Sequence, residues 1–130
     1  MAANADTMND IIIEHNTVVR YMIKLLEPNY VILTNIDGEK NFLSGIFPDI
    51  ILLDKVTKQP VFIIEVRRNG QIQSCLQQWK TISNLPATLY VIVPENDLSG
   101  AKLVATSIGL NTKFGVYTYN NNQVTSFKFE

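Results

Sequence analysis

Two apolar runs, each with a carboxylate close to its outer end, constrain the fold of this chain more than any other feature. The first run covers residues 46–53 and the second covers residues 61–66, and a polar turn separates them. Both are rich in β-branched residues and apolar at successive positions, which is typical of strands covered on both faces. The two runs therefore predict a β-hairpin inside a sheet that has helices on both sides.

The predicted hairpin brings the neighbouring acids to one face of the sheet. A turn centred on Thr57 pairs the odd-numbered residues of the two strands, which are Leu53 with Val61, Ile51 with Ile63, and Asp49 with Glu65. Paired residues share a face and have Cβ atoms about 4.5–5.5 Å apart. A turn shifted by one residue would change these partners.

Two carboxylates at that distance repel each other, and the repulsion grows as water is excluded. Either one acid stays protonated through a raised pKa, or a cation lies between them. A divalent cation with oxygen ligands resolves the conflict most simply. Arg67, two residues after Glu65, points to the same face and adds a positive charge there.

The alternative is that Asp49 and Glu65 mark the points where the strands emerge into solvent, with Arg67 and Arg68 as surface partners. Pro48 favours the converging arrangement. Because proline cannot donate to a strand ladder, we expect the strand to start or bulge there, and side chains are re-aimed at such points.

Hydrophobic periodicity and turn residues predict the remaining elements. Residues 8–26 and 71–83 are expected to be helices, and a third helix begins at a cap formed by Asn96 or Asp97 and ends before Gly109. Further strands are expected at residues 30–34, 88–93, 113–119 and 124–129, with a turn at Asp37-Gly38. This order of elements predicts one α/β domain over residues 1–130, a sandwich with a mixed sheet.

Composition restricts the kinds of site that the chain can hold. The single cysteine, Cys75, excludes an internal disulfide and sites of several thiolates, and the single histidine, His15, excludes a His-rich zinc site. Any metal would need oxygen ligands, which points to magnesium, manganese or calcium. We interpret His15 as a core or interface residue, Cys75 as inert core, and Trp79 as a packing residue.

Charge and hydropathy indicate the setting and the partners. A net charge of −1 provides no overall basic field, which argues against a tight sequence-reading DNA binder and leaves room for a nuclease with local basic residues. No apolar stretch is long enough for a membrane span, and the first ten residues lack the pattern of a secretory signal. We therefore expect a cytoplasmic protein with no membrane partner and no disulfide partner.

The residues Pro48-Asp49, the apolar run after them, and Glu65-Val66-Arg67 resemble the motif of the PD-(D/E)xK nuclease superfamily. This superfamily includes restriction enzymes, Holliday-junction resolvases and repair nucleases. The segments FPDIILLD and PVFIIEVRR also look like the nuclease part of type I restriction subunits. The resemblance implies a restriction-endonuclease-like three-layer sandwich with a central mixed sheet, and metal-dependent hydrolysis of phosphodiester bonds in DNA.

The resemblance also implies roles for single residues. Asp49 and Glu65 would hold Mg²⁺ or Mn²⁺, with the carbonyl of Val66 as a third ligand. Glu14 on the first helix would complete the site. For Glu14, a solvated charge at the edge of its helix is the alternative.

Arg67 stands where the family pattern has lysine. Arginine suits phosphate and stabilises negative charge, but it keeps its proton at working pH and cannot act as a general base. In an active nuclease, Arg67 would therefore brace the transition state. A second interpretation is a catalytically degenerate nuclease fold that binds nucleic acid or protein. A third is an unrelated α/β ligand-binding domain.

The second helix and the turn before it hold further candidates. Gln73, Gln77 and Lys80 lie along one polar edge of the helix. In the superfamily the lysine sometimes lies on this helix, so Lys80 is a candidate for the missing role and the glutamines for substrate contacts. An ordinary solvated face is the alternative. Arg68 is a candidate for phosphate contact or part of a plain turn.

Cleavage of a DNA duplex raises the question of a homodimer. One such domain cuts one strand, so cutting both strands requires a dimer or two encounters. The C-terminal strands, with Phe127 and Phe129, offer an edge through which two copies would pair.

Overall fold

The computed structural model describes residues 5–36, 38–41, 43 and 45–130, without the side chains of residues 5–7, 69, 70, 73 and 76. Within these residues the chain forms three α-helices around one six-stranded sheet. The helices are α1 (Ala5–Leu26), α2 (Asn69–Ser83) and α3 (Leu98–Ser107), and a short 3-10 helix, Glu95–Asp97, precedes α3. The strands are β1 (Val31–Thr34), β2 (Ile50–Leu53), β3 (Pro60–Val66), β4 (Thr88–Pro94), β5 (Lys113–Asn120) and β6 (Gln123–Phe129).

The predicted order of helices and strands is confirmed, and the sheet is mixed. The strands lie in chain order across the sheet, from β1 to β6. β1, β2 and β3 are antiparallel neighbours, β3, β4 and β5 are parallel, and β6 returns antiparallel to β5. α2 and α3 supply the crossovers that parallel neighbours require. The amino end of β2 and the carboxyl ends of β3, β4 and β5 therefore meet at one edge of the sheet.

Helices cover both faces of the sheet. α1 packs on one face, in the same cluster as the even-numbered side chains of β3 such as Ile64. α2 and α3 cover the other face, where Trp79 packs in the same cluster as the odd-numbered Ile63. Because successive side chains of a strand point to opposite faces, Glu65 belongs to the α2 side. Burial of each large apolar side chain is worth about 1.5–3 kcal/mol, so these two clusters hold the layers together.

The hairpin register agrees with the prediction at its centre and departs from it beside the turn. Ile51 lies opposite Ile63, as predicted. A bulge then places Leu53 opposite Pro60, so the predicted pairing of Leu53 with Val61 is wrong. The bulge leaves Val61 as an extra residue on β3 before regular pairing resumes.

Asp54 builds the turn that produces this bulge. One of its carboxylate oxygens accepts the backbone N–H groups of Val56 and Thr57, at 2.8 and 2.9 Å. Lys58 takes a positive φ of 61°, which closes the turn back onto β3. The side chain of Asp54 thus stands in for a backbone acceptor, as in other Asx turns.

β2 is shorter than the predicted strand over residues 46–53. Ladder pairing starts only at Ile50, whereas Ile46 forms an isolated bridge with Leu43. Gly45 between them has a φ of 84°, a conformation that favours glycine, and Pro48 has no N–H to donate. An irregular segment therefore leads into β2.

The other element boundaries lie within a few residues of the predictions. α1 begins at Ala5 and α2 at Asn69, slightly earlier than expected, and Asp97 is the N-cap of α3. In the predicted turn at Asp37-Gly38, Gly38 has a φ of 87°, and Asp37 lies outside the described residues. None of the described helices has the length and apolar character that crossing a membrane requires.

Candidate active site

Asp49 and Glu65 lie side by side where β2 begins and β3 ends. Both are buried, with Asp49 9% exposed and Glu65 0% exposed. The backbone N–H of Asp49 donates to Glu65 Oε1 at 3.1 Å, and the backbone N–H of Val66 donates to Asp49 Oδ2 at 2.8 Å. Each carboxylate thus accepts a hydrogen bond from the other strand, and the two acids converge as the sequence predicted.

Asn35, immediately after β1, holds the entry into β2. Its backbone N–H donates to the carbonyl of Asp49 at 3.3 Å, and its side-chain amide donates to the carbonyl of Pro48 at 2.7 Å. These bonds fix the irregular segment before Ile50. They therefore hold the backbone from which the Asp49 side chain extends.

Arg67 joins the two acids through its guanidinium. Nη1 lies 2.7 Å from Asp49 Oδ2, and Nη2 lies 2.5 Å from Glu65 Oε2. Nη1 also donates to the carbonyl of Val66 at 2.6 Å, and Nε donates to Cys75 Sγ at 3.1 Å. The guanidinium therefore contacts three of the four groups that the resemblance implies as metal ligands: the two carboxylates and the Val66 carbonyl, but not Glu14.

The donor set at this point fits a hard divalent cation. Two carboxylates and one carbonyl supply only oxygen, the ligand that magnesium and manganese prefer. Among the residues that the structure describes, no three His, Cys, Asp or Glu side chains are grouped for a metal ion. A cation held here would therefore need the Val66 carbonyl and water in addition to Asp49 and Glu65.

His15 of α1, which the sequence predicted to be a core or interface residue, is a member of this site. Its Nε2 lies 3.1 Å from Asp49 Oδ1, and its Nδ1 lies 2.8 Å from Asn16 Oδ1. The signal in the sequence was a histidine in the middle of the apolar stripe of α1. A polar side chain in that place needs a buried polar partner, and the partner is Asp49.

The two acids have opposite pKa shifts. Burial raises the pKa of Glu65 to about 7, and the charge of Asp49 adds to the rise, against the opposing effects of Arg67, the Asp49 N–H and the nearby Trp79 indole. Burial also acts to raise the pKa of Asp49. The hydrogen bond from His15 and the charge of Arg67 outweigh that effect, so the pKa of Asp49 is lowered. Asp49 is thus the permanent anion of the pair, and Glu65 changes its charge near neutral pH.

The two basic members of the group stay charged more readily than usual. For His15, burial lowers the pKa, but the hydrogen bond and charge of Asp49 give a net rise. For Arg67, burial also acts to lower the pKa, and the charges of Glu65 and Asp49 raise it further. Arg67 therefore remains a cation and cannot serve as a general base.

No protein family, curated protein or solved structure matches this chain. The resemblance to PD-(D/E)xK nucleases therefore rests on the motif residues of the chain.

Glu14 belongs to a second polar group beside the first. Its Oε2 accepts a hydrogen bond from the hydroxyl of Tyr117 at 2.7 Å, and its Oε1 lies 3.7 Å from Arg68 Nη1. Burial raises the pKa of Tyr117, and the hydrogen bond and charge of Glu14 raise it further. The α1 residue that contacts Asp49 is His15 rather than Glu14. The contacts of Glu14 therefore do not support its predicted role as a metal ligand.

A narrow crevice separates the two groups. Arg67 and His15 line one part of it, and Glu14, Arg68 and Tyr117 line another. Its volume is about 10 Å³, enough for one water molecule at most. A wider pocket of about 210 Å³ adjoins Arg68 and Tyr117 at the carboxyl ends of the parallel strands. Open α/β sheets commonly bind ligands at this edge.

Two of the candidates on α2, Gln77 and Lys80, are not brought to the acids. Gln77 and Lys80 are exposed, and helix geometry places them about 160° and 140° around α2 from Cys75, the residue that faces Arg67. The side chain of Gln73 lies outside the described residues. Arg68 is at the N-cap of α2, where its backbone N–H donates to Gln71 Oε1 at 3.0 Å and its side chain remains 45% exposed.

Proposed function

We propose that this chain is a metal-dependent nuclease that hydrolyses phosphodiester bonds in DNA. The observation that carries the proposal is the meeting of three oxygen groups at one positive centre. The carboxylates of Asp49 and Glu65 and the carbonyl of Val66 all contact the guanidinium of Arg67. Buried acids that converge in this way repel each other unless one is protonated or a cation lies between them, and their oxygen atoms are the ligands that Mg²⁺ and Mn²⁺ favour.

The architecture supports a restriction-endonuclease-like fold as part of this proposal. The resemblance implies a central mixed sheet flanked by helices. Here α1 precedes three antiparallel strands, α2 crosses over to the parallel strand β4, and helices lie on both faces. The two acids lie at the open end of the β2–β3 hairpin, Asp49 just before β2 and Glu65 near the end of β3, in the order that the motif has them.

Each residue of the group has a chemical task under the proposal. Asp49, Glu65 and the Val66 carbonyl would hold the divalent cation, which when bound supplies positive charge to the phosphodiester and activates water. His15 orients Asp49 and helps keep it ionised. Arg67 offers a planar pair of donors to the charge that develops on the phosphate.

A catalytically degenerate nuclease fold that binds nucleic acid or protein is the second candidate. One observation favours it: Arg67 already compensates the two acids, and Glu65 is 0% exposed. In such a protein, the guanidinium would replace the cation permanently. Because the net charge of −1 provides no overall basic field, any nucleic-acid contact would then depend on local basic residues such as Arg68.

DNA cleavage separates the two candidates. We expect the wild-type protein to cut plasmid or single-stranded DNA in Mg²⁺ or Mn²⁺ and not in a chelator. Asp49→Asn and Glu65→Gln should each abolish cleavage, because each keeps the side-chain shape and removes a charged ligand. Glu27→Gln, which changes an exposed acid at the end of α1, is the matched control and should cut normally.

The outcomes assign the function as follows. Cleavage lost in both site variants and kept in the control supports the nuclease. A wild-type protein that retains DNA on a filter without cutting it supports the degenerate fold. If the wild-type protein neither cuts DNA nor retains it, the nuclease proposal is wrong and DNA is not its ligand.

A further inference from the structure

Arg67 already lies where a cation would lie under the proposed function, on which this inference rests. Its guanidinium contacts Asp49, Glu65 and the Val66 carbonyl at 2.5–2.7 Å, and 17% of its side chain is exposed. We infer that a divalent cation and a phosphodiester bind this site cooperatively, because Arg67 must leave the acids for a cation and needs an anion to receive it. In the free protein, Arg67 therefore closes the cation site.

Arg67 and a cation compete for the same oxygen atoms. A cation between Asp49 and Glu65 would separate the guanidinium from both of its carboxylate partners. Arginine does not lose its charge, and an unpaired charge in a mostly buried place is strongly unfavourable. Cation binding to the free protein is therefore opposed by the separation of Arg67 from the acids.

The crevice holds one water molecule at most, but a phosphodiester outside it, where 17% of the Arg67 side chain is exposed, removes this opposition. Arg67 lines the crevice together with Arg68 and Tyr117. The planar fork of a guanidinium matches two phosphate oxygens, and hydrogen bonds between charged groups are the strongest of their kind. The exposed side chain of Arg68 adds a second positive charge at the same opening. A phosphate bound there gives Arg67 a new partner close to the old one.

The remaining contact of Arg67 resists this movement little. Its Nε donates to Cys75 Sγ at 3.1 Å, and a thiol sulfur is a weak acceptor. The acids also keep other partners when the guanidinium leaves, because Asp49 retains His15 and the Val66 N–H. The two ligands thus become coupled through one side chain, and the coupling is reciprocal: each raises the affinity for the other by the same factor.

Calorimetric titration of Mn²⁺ tests the coupling without relying on catalysis. The wild-type protein is titrated alone and with a saturating phosphorothioate single-stranded oligonucleotide, whose backbone carries the charge of a phosphodiester. We expect the Kd for Mn²⁺ to fall at least tenfold when the oligonucleotide is present. A tenfold fall corresponds to a coupling free energy of about 1.4 kcal/mol. An unchanged Kd would overturn the inference, whatever the variants do.

Arg67→Gln sharpens the test, and Lys24→Gln is its control with the same loss of charge on an exposed part of α1. Arg67→Gln should bind Mn²⁺ in the absence of the oligonucleotide at least as tightly as the wild-type complex does. The oligonucleotide should then change its Kd less than twofold, whereas Lys24→Gln should keep the wild-type coupling. Equal coupling in both variants would show that Arg67 does not carry it.

The same titrations distinguish failure of this inference from failure of the proposed function. If Mn²⁺ binds to the wild-type protein regardless of the oligonucleotide and Asp49→Asn abolishes binding, the cation site stands and the coupling is wrong. If Mn²⁺ binds neither the wild-type complex nor a folded Arg67→Gln, the cation site itself is wrong and both proposals fall. The wild-type titrations stand even if Arg67→Gln does not fold, which its circular dichroism spectrum would reveal.

Discussion

The two ends of the β2–β3 hairpin both carry acids, and the acids serve different purposes. At the turn, Asp54 accepts the N–H groups of Thr57 and Val56, and these bonds lower its pKa. At the opposite end, Asp49 and Glu65 are buried and share the guanidinium of Arg67. Water solvates the charge at the turn, whereas each buried charge depends on a partner of opposite sign.

This difference shows that the location of an acid decides its chemistry more than its residue type does. The Asp54 carboxylate shapes the backbone and leaves the rest of the molecule unaffected. The buried pair links β2, β3, α1 and α2 through His15, Arg67 and Cys75. Substitutions at the buried end should therefore have larger consequences than substitutions at the turn.

Removal of Arg67 should have the largest effect. Arg67→Ala leaves two buried carboxylates without their shared cation, and breaking a buried ion pair costs about 3–5 kcal/mol. Urea unfolding monitored by circular dichroism measures the loss. Lys55→Ala, at the turn end, removes an exposed cation and should change the free energy of unfolding by less than about 0.5 kcal/mol. Equal losses in the two variants would contradict the contrast between the ends.

Glu65→Gln should remove most of the pH dependence of stability near neutral pH. The pKa of Glu65 is raised from 4.5 to about 7 in the folded protein. Between these values the unfolded chain has released a proton that the folded protein keeps, so stability falls as pH rises, by about 1.4 kcal/mol per pKa unit of difference.

The measurement is the free energy of unfolding from pH 4 to pH 8 for both proteins. The pKa of His15 is also raised from its usual value of 6.5, so both proteins lose stability as the pH rises above 6.5. The difference between the two curves therefore isolates the contribution of Glu65. Parallel curves would mean that Glu65 is ionised throughout this range in the folded protein.

His15→Leu should have a moderate effect. The substitution keeps the apolar stripe of α1 and removes the bond to Asp49, at a cost of about 1–2 kcal/mol. It should also raise the pKa of Asp49. In the wild-type protein this pKa lies below the ordinary value of 3.8, so the ionised carboxylate stabilises the fold above pH 3.8, and that stability is lost as the pH falls. Acid unfolding of the variant should therefore begin at a higher pH than that of the wild-type protein, and an identical midpoint would refute the positioning role.

Asp54→Ala should have the smallest effect of the four. It removes the acceptor for Val56 and Thr57, while water can solvate both N–H groups at this exposed turn. We expect a slight loss of stability and an unchanged affinity for Mn²⁺. Asp54→Asn keeps an acceptor oxygen and is the control. A change in Mn²⁺ affinity in either variant would show that the two ends are coupled.

Local patterns in the sequence were sufficient to predict the element order and the meeting of the acids. Hydrophobic periodicity separates helices from strands, because their side chains repeat every 3.6 and every 2 residues. The odd numbers of Asp49 and Glu65 place both on one face of the hairpin, since successive strand residues alternate between faces. Even a bulge beside Leu53 did not disturb this result, because it lies on the turn side of the regular pairs.

The sequence predicted Arg67 on the face of the two acids, but the tertiary structure decided the contacts that the acids make. His15 reaches Asp49 because α1 packs on the face of the sheet that Ile50 and Ile64 share, and Arg67 bridges the acids because its guanidinium folds back onto them. Lys80 points elsewhere because of its angle on α2. Spacing along the chain fixes which face a residue shares with its neighbours, but contacts between distant segments depend on how whole helices and strands approach. The sequence alone determined that two acids and an arginine share one face of the hairpin, and the packed fold determined that the guanidinium joins both acids and that His15 contacts Asp49.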